Sequence, residues 1–309
     1  MKSGQSGLRV TIERPWAISK GGYPRFRIRG RISTVKRERK SAYSGSRIET
    51  ASNSVSTYTG GITIKSPQEL GAMRRAGAVV GSVITLLKRS VEPGITTRDL
   101  DKIAYKEIIR LGAKPTFKGY RGFPASICTS INDEIVHGIP SKRVLKDGDI
   151  IKLDVGATLD GMIGDAAVSV AVGQVSQEAA ALMDATRQCL EEGIKASLAG
   201  NRIGDIGAAV QSLGEAKGYG VVREFVGHGV GRFLHEDPQV PNCGQPGTGA
   251  LLRPGMCIAI EPMLNLGDWR TRILEDNWTV VTADGKLSAH FEHTITISEE
   301  GPEILTNHT

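Results

Sequence analysis

The sequence predicts an α+β protein of two similar halves related by a pseudo-twofold axis, each running helix, helix, strands. Three observations carry that expectation. Four short motifs recur in the same order along the chain, a strong two-residue turn separates two apolar runs, and a complete helix-start signal opens the ordered part near Ile62.

The elements follow in order. Ser66-Pro67-Gln68-Glu69 supplies a capping hydroxyl, a proline at the first helical position and a glutamate able to reach back to the cap. An apolar stripe of helical period then runs to about Arg89 and stops before Pro93-Gly94. From there the repeat sets in. Gly94 to Asp99-Leu100 matches Gly200 to Asp205-Ile206, each joining two helical segments, and His137-Gly138-Ile139-Pro140 matches His235-Glu236-Asp237-Pro238. Leu145-Lys146-Asp147-Gly148 leads to Asp154, six residues past its glycine, as Leu252-Arg253-Pro254-Gly255 leads to Glu261, six past its own. Asp165 opens an alternating strand over 166–173, as Glu292 does over 293–299. Between 150–159 and 162–172, Asp160-Gly161 is a hairpin turn, since both residues tolerate positive φ.

At 309 residues the chain has ample length for a core, and a mean hydropathy of −0.16 places it among soluble globular proteins. No uninterrupted apolar run is expected to span a bilayer, and no secretory signal opens the chain. The net charge of +6 divides unevenly. Residues 1–60 hold thirteen Lys/Arg against three acids, leaving 26 basic and 30 acidic residues for a mildly acidic remainder. That first segment is rich in Ser, Gly and Arg and lacks a helical stripe, so it reads as an extension without a packed fold. Within it, 25–32 alternates basic and apolar residues like a short strand. The plain reading, a solvated tail or a mis-assigned start, stands ahead of two others: contact with ribosomal RNA or another acidic partner, and an acid-poor transit segment, which its three Glu weaken. Cys128, Cys189, Cys243 and Cys257 form no C-x-x-C pair and read as reduced thiols.

The repeat makes Asp154 the counterpart of Glu261, and Asp165 that of Glu292, so a pseudo-twofold axis would gather four carboxylates. The hairpin register agrees independently. Asp165 falls opposite Gly156, two residues from Asp154, which makes the two aspartates diagonal neighbours roughly 7–8 Å apart. Four carboxylates in a half-buried sheet repel one another and resist desolvation, so something cationic must sit among them. Hard divalent ions suit oxygen ligands, and two can share bridging carboxylates and one water. A histidine would tilt selection toward Co, Mn, Fe or Zn, and His228, in Gly227-His228-Gly229-Val230-Gly231, is the candidate. Singly, each residue has a plainer reading: a solvated strand-end Asp, a loop Glu before Pro262, satisfied loop histidines at His137 and His235. The apolar flanks of Asp154 and the repeat together outweigh those readings.

These motifs resemble the type 1 methionine aminopeptidases of the pita-bread metallopeptidase superfamily. Ile135-Val136-His137-Gly138-Ile139-Pro140 is similar to the family's first histidine motif, while Leu153-Asp154-Val155 and Gly164-Asp165 resemble its aspartate motifs. The histidine loop is matched by Gly227 to Gly231 and by His235-Glu236-Asp237-Pro238. Ile260-Glu261-Pro262-Met263 and Phe291-Glu292-His293-Thr294 match the glutamate motifs. The likeness runs from about Ile62 onward; residues 1–60 have no counterpart in the family's minimal bacterial form. It implies a curved, mostly antiparallel sheet covered by helices, with a 1–60 extension and a catalytic domain at 61–309. It implies two divalent ions held by Asp154, Asp165, His228, Glu261 and Glu292, with Asp165 and Glu292 bridging. A metal-bridging water would attack the first peptide bond of nascent polypeptides and release their initiator methionine. Glu261 would shuttle the proton, His235 would stabilise the oxyanion, and His137 would meet the amide nitrogen. Tyr120, Phe123, Cys128 and Trp278 would wall the methionine pocket, with Phe117 and Phe233-Leu234 departing from the best-known bacterial pattern. A cytoplasmic monomer is expected.

Two other readings compete. Xaa-Pro aminopeptidases and prolidases share the fold and the five ligands but generally carry a folded N-terminal domain. A non-catalytic ribosome- or RNA-binding relative would be expected to have lost ligands, and all five are present here.

Overall fold

A computed structural model describes residues 57–59 and 61–308. The rest of the expected 1–60 extension, including its alternating 25–32 stretch, lies outside the described residues. The chain opens with β1 (Thr57–Thr59) and β2 (Ile62–Ile64) and continues through α1 (Pro67–Ser90), α2 (Thr97–Arg110) and β3 (Lys114–Pro115). The first half closes with β4 (Cys128–Ile131), β5 (Glu134–Val136) and the long hairpin β6 (Ile150–Leu159) and β7 (Met162–Ala171). The second half begins with α3 (Gln177–Lys195) and α4 (Ile203–Ala216), followed by β8 (Gly220–Val221), β9 (Gly227–Gly229) and β10 (Glu236–Val240). It ends with β11 (Cys257–Ile260), β12 (Met263–Asn265), β13 (Thr271–Ile273), β14 (Val280–Thr282), β15 (Ser288–His290), β16 (Glu292–Ser298) and β17 (Gly301–Ile304).

The main sheet runs β1-β2-β10-β9-β11-β16-β7-β6-β3, with β4 also on β6 and β17 on β16. Its pairs are antiparallel except β2 with β10. The centre of that order shows the expected twofold: β11-β16 of the second half mirrors β6-β7 of the first across the β16–β7 seam. The repeat is also written in hydrogen bonds. Gly94 N–H donates to the Leu145 carbonyl at 2.9 Å, and Gly200 N–H to the Leu252 carbonyl at 3.0 Å. Gly148 N–H donates to Val172 O and Gly255 N–H to Ile297 O, both at 2.9 Å. Gly148 and Gly255 sit at φ 90° and 85°, a left-handed turn that only glycine enters without strain.

Local signals behave as expected at two places. Ser66 accepts the Glu69 N–H while the Glu69 carboxylate accepts the Ser66 N–H, a complete capping box for α1. At the β6–β7 turn, Asp160 and Gly161 adopt φ 51° and 76°, and Gly156 stands opposite Asp165 as the hairpin register requires. The alternation expected after Asp165 is not what the strand shows. The first eight residues of β7 are all buried, because α1 covers one face and the other looks into the molecule.

α1 lies against β6 and β7 so closely that a Cβ on Gly164 would come within 2.8 Å of the Gly77 nitrogen. By length and composition this helix could cross a membrane, contrary to the expectation from the sequence. Over half of the qualifying stretch is buried inside the fold, which marks it as a core helix. The segment 305–307 crosses α1 at two glycines. A Cβ on Gly77 would sit 2.2 Å from Leu305 O, and one on Gly81 2.0 Å from Asn307 O. Gly81→Ala is therefore expected to destabilise the protein by about 1–3 kcal/mol in urea melts, through overpacking. Gly71→Ala, whose Cβ meets only the Arg75 guanidinium at 3.7 Å, should instead stabilise the same helix by about 1 kcal/mol or less.

Candidate metal centre

The β11-β16-β7-β6 seam carries the four carboxylates in one row. Asp154 of β6 and Glu292 of β16 both stand opposite Ala167 of β7. Asp165 lies two residues earlier on β7, hence on the same face. Glu261 follows the last residue of β11, and His228 is the middle residue of β9, which pairs β11 on its other edge. One ligand atom each from Asp165, His228 and Glu292 fit within 4.8 Å of one another. His228 Nε2 is 3.7 Å from Asp165 Oδ2 and 3.7 Å from Glu261 Oε1.

The chemistry of this set calls for cations. Asp154 Oδ1, Asp165 Oδ1 and Glu292 Oε1 are buried with no hydrogen-bond partner. Burial, reinforced by their neighbours' charges, pushes the Asp165, Glu261 and Glu292 carboxyls well above the usual carboxylate range. Burial also lifts Asp154 to about 7, opposed by a hydrogen bond from the Cys128 thiol. His228 is held neutral, its pKa lowered by burial to about 4. Its Nδ1 lies 2.9 Å from the Gly229 carbonyl; a proton there leaves the Nε2 lone pair facing Asp165 and Glu261. Thr294, two residues after Glu292, donates its hydroxyl to Asp165 O at 2.7 Å and accepts the Asp165 N–H at 3.1 Å. Neutral carboxyls become ligands only by losing protons, so ion uptake should release protons. Since Asp154 holds its proton to about pH 7 when folded but only to about 3.9 unfolded, its contribution to ion-free stability is complete below pH 3.9 and lost as pH rises through 7. The gap between ion-loaded and ion-free melting temperatures should therefore widen from pH 5 to pH 7.5. A gap that stays constant in calorimetry would contradict this.

The remaining expected residues cluster at one end of the row. The His235 ring lies tilted against that of His228, centroids 4.2 Å apart, and its Nδ1 is 3.0 Å from the Tyr120 hydroxyl. His137 packs edge-on against Phe225 at 5.8 Å, and burial lowers its pKa to about 3. Phe123 and Trp278 meet edge to face at 5.0 Å. These two belong to one buried cluster with Cys128, Phe117, Val230 and Leu234, against which Tyr120 packs. Cys128 stands directly opposite Asp154, and burial with that neighbour pushes its thiol well up. Of the three residues at which the sequence departs from the bacterial pattern, Phe117 and Leu234 are buried in this cluster, while Phe233 is 72% exposed. Residues the sequence reading did not single out also serve the site. In the sequence, Thr294 is only the last residue of the Phe291-Glu292-His293-Thr294 motif. Asn242, whose side-chain amide donates to Glu261 O at 3.1 Å, gave no signal in sequence.

Residues 71–299 match the family model for metallopeptidase family M24. A methionine aminopeptidase of Clostridium acetobutylicum is 51% identical over 246 residues, spanning 79% of this chain and 98% of that protein. The chain belongs to the methionine aminopeptidases of metallopeptidase family M24. The crystal structure of a methionine aminopeptidase from Thermotoga maritima superposes on this M24 chain with a TM-score of 0.79 at 48% identity, covering 80% of this chain and 99% of the other. A prolidase from Pyrococcus furiosus superposes with a TM-score of 0.64 at 19% identity, covering 79% and 65%, a likeness of fold alone. The two-half sheet described above is thus the pita-bread fold of M24, and membership in that family implies use of a divalent metal.

Proposed function

We propose that this chain removes the initiator methionine from nascent polypeptides as a type 1 methionine aminopeptidase, with residues 61–309 as its catalytic domain. One observation supports the reading: a row of buried carboxylates, three of them with an oxygen that has no hydrogen-bond partner, and a neutral histidine lie beside a buried apolar cluster that includes Phe123, Trp278, Cys128 and Leu234. Apolar, polarisable walls suit an unbranched thioether side chain. Asp154, Asp165, His228, Glu261 and Glu292 would hold two divalent ions. When bound, the ions supply Lewis acidity and a water acidic enough to attack near neutral pH.

The chain's own residues divide the remaining work. Glu261, once ionised, accepts the proton of the attacking water and delivers it to the leaving amine. Burial keeps His235 neutral, and if the Tyr120 hydroxyl donates to Nδ1, Nε2–H is left to donate to the developing oxyanion. His137, also neutral, meets the scissile amide nitrogen. A cytoplasmic monomer, with the basic 1–60 segment touching ribosomal RNA, belongs to the same reading; the segment's +10 charge balance supports it.

The test uses matched peptides beginning Met-Gly and Ala-Pro with chelator-stripped full-length protein, titrated separately with Mn, Fe, Co and Zn. Release of methionine only on metal addition is the expected result. Cleavage confined to the Ala-Pro peptide would favour a prolidase-like enzyme, whose fold this chain shares. No turnover with any metal would favour a binding module.

A further inference from the structure

The loop 231–236, which carries His235, is gripped by the first residues of the fold. Lys65 lies between β2 and the Ser66 cap, with its side chain 3% exposed and its Nζ 2.8 Å from Glu236 Oε2. Thr63 donates its hydroxyl to the same oxygen at 2.6 Å. The other oxygen, Oε1, accepts the Phe233 N–H at 3.1 Å, closing a ring of chain that contains His235. Gly231 sits against this knot: a Cβ there would come 2.6 Å from Lys65 Cε and 2.7 Å from Glu236 Oε1. The Gly231 carbonyl accepts the Ile163 N–H of β7 at 2.9 Å. On the surface, Arg232 pairs with Glu69 of the capping box at 2.9 Å. Residues 63–69 therefore hold the loop at both ends.

A buried ion pair is about break-even in stability against apolar side chains of the same size, so stability does not by itself account for it. What the pair does supply is direction. Oε1 and Oε2 tie one loop amide to one strand, and the imidazole between them must meet Tyr120 on one side and His228 on the other.

We propose that Lys65 and Glu236 are positioning residues whose ion pair fixes the loop backbone around His235 and so sets the rate of turnover, leaving metal content and substrate binding untouched. This rests on the role given to His235 above. The test compares Glu236→Gln and Lys65→Met with wild type in the full-length, manganese-loaded protein, using a Met-Gly peptide. The expected result is wild-type metal content, kcat lower by on the order of tenfold to a hundredfold, and KM within about twofold. Unchanged kcat, a rise in KM alone, or metal loss that parallels the activity loss would overturn the proposal. So would failure of both variants to fold, which would make the pair a folding determinant. If wild type itself turns over no Met-Gly peptide, the functional reading fails, and the proposal is then judged on the His235 side-chain nitrogen resonances. A shift or doubling of those resonances in Glu236→Gln, with the other histidines unmoved, supports positioning, and superimposable spectra overturn it.

Discussion

Glu292→Ala is expected to abolish turnover together with metal binding at the centre of the row. Glu292 and Asp165 are the two carboxylates nearest the β16–β7 seam, and both share a tight ligand group with His228. Removing Glu292 takes one carboxylate out of that group and so weakens its hold on a cation. Activity should fall by more than about a hundredfold, since loss of groups merely supporting a metal ligand already costs 10–100-fold. Metal content should fall alongside it, measured by elemental analysis after gel filtration. Because three neighbouring carboxyls then pay a smaller repulsive cost, the ion-free variant should melt no lower than ion-free wild type. Full metal content with wild-type turnover would remove Glu292 from the ligand set.

His235→Ala should behave in the opposite way: full metal content, near-normal KM and a kcat lower by about 10²–10³-fold, the cost of losing one donor to an oxyanion. The imidazole lies beside His228 and its Nδ1 is 3.0 Å from the Tyr120 hydroxyl; with Tyr120 as the donor, Nε2 carries the proton that an oxyanion would accept. Tyr120→Phe supplies the graded control. It keeps the ring stacked at His235 but releases Nδ1, and should cost less than the alanine variant. Equal kcat in His235→Ala and wild type would take His235 out of the mechanism.

Much of this site was readable before any coordinates, and the reason lies in short-range geometry. Asp154 and Asp165 belong to one hairpin whose Asp160-Gly161 turn fixes the register, so their common face follows from a side-chain period of two. The repeat then carried the inference across to Glu261 and Glu292: equal offsets from Gly148 and Gly255 put Asp154 on β6 and Glu261 at the end of β11, and Asp165 and Glu292 lie on the strands that pair with these. What could not be read depends on partners far apart in the chain. Lys65 and Glu236 are 171 residues apart and meet only because β2 runs parallel to β10. Leu234 and Phe233 are neighbours of similar apolar character, and only the course of the loop sends one inward and the other to solvent. The strands of the two smaller sheets are two or three residues long, too short for any periodicity to declare them. Likewise the uniform burial of β7 hides the alternation that would normally mark a strand.

The crossing of 305–307 over the two glycines of α1 bears on how the protein is handled at the bench. Thr306, just beyond Leu305, accepts the Thr294 N–H at 3.1 Å, and its hydroxyl lies 2.9 Å from His293 Nδ1, so it braces the two residues that follow Glu292. A purification handle or fluorescent fusion attached after residue 308 would therefore pull, through two or three residues, on the strand that bears a central ligand.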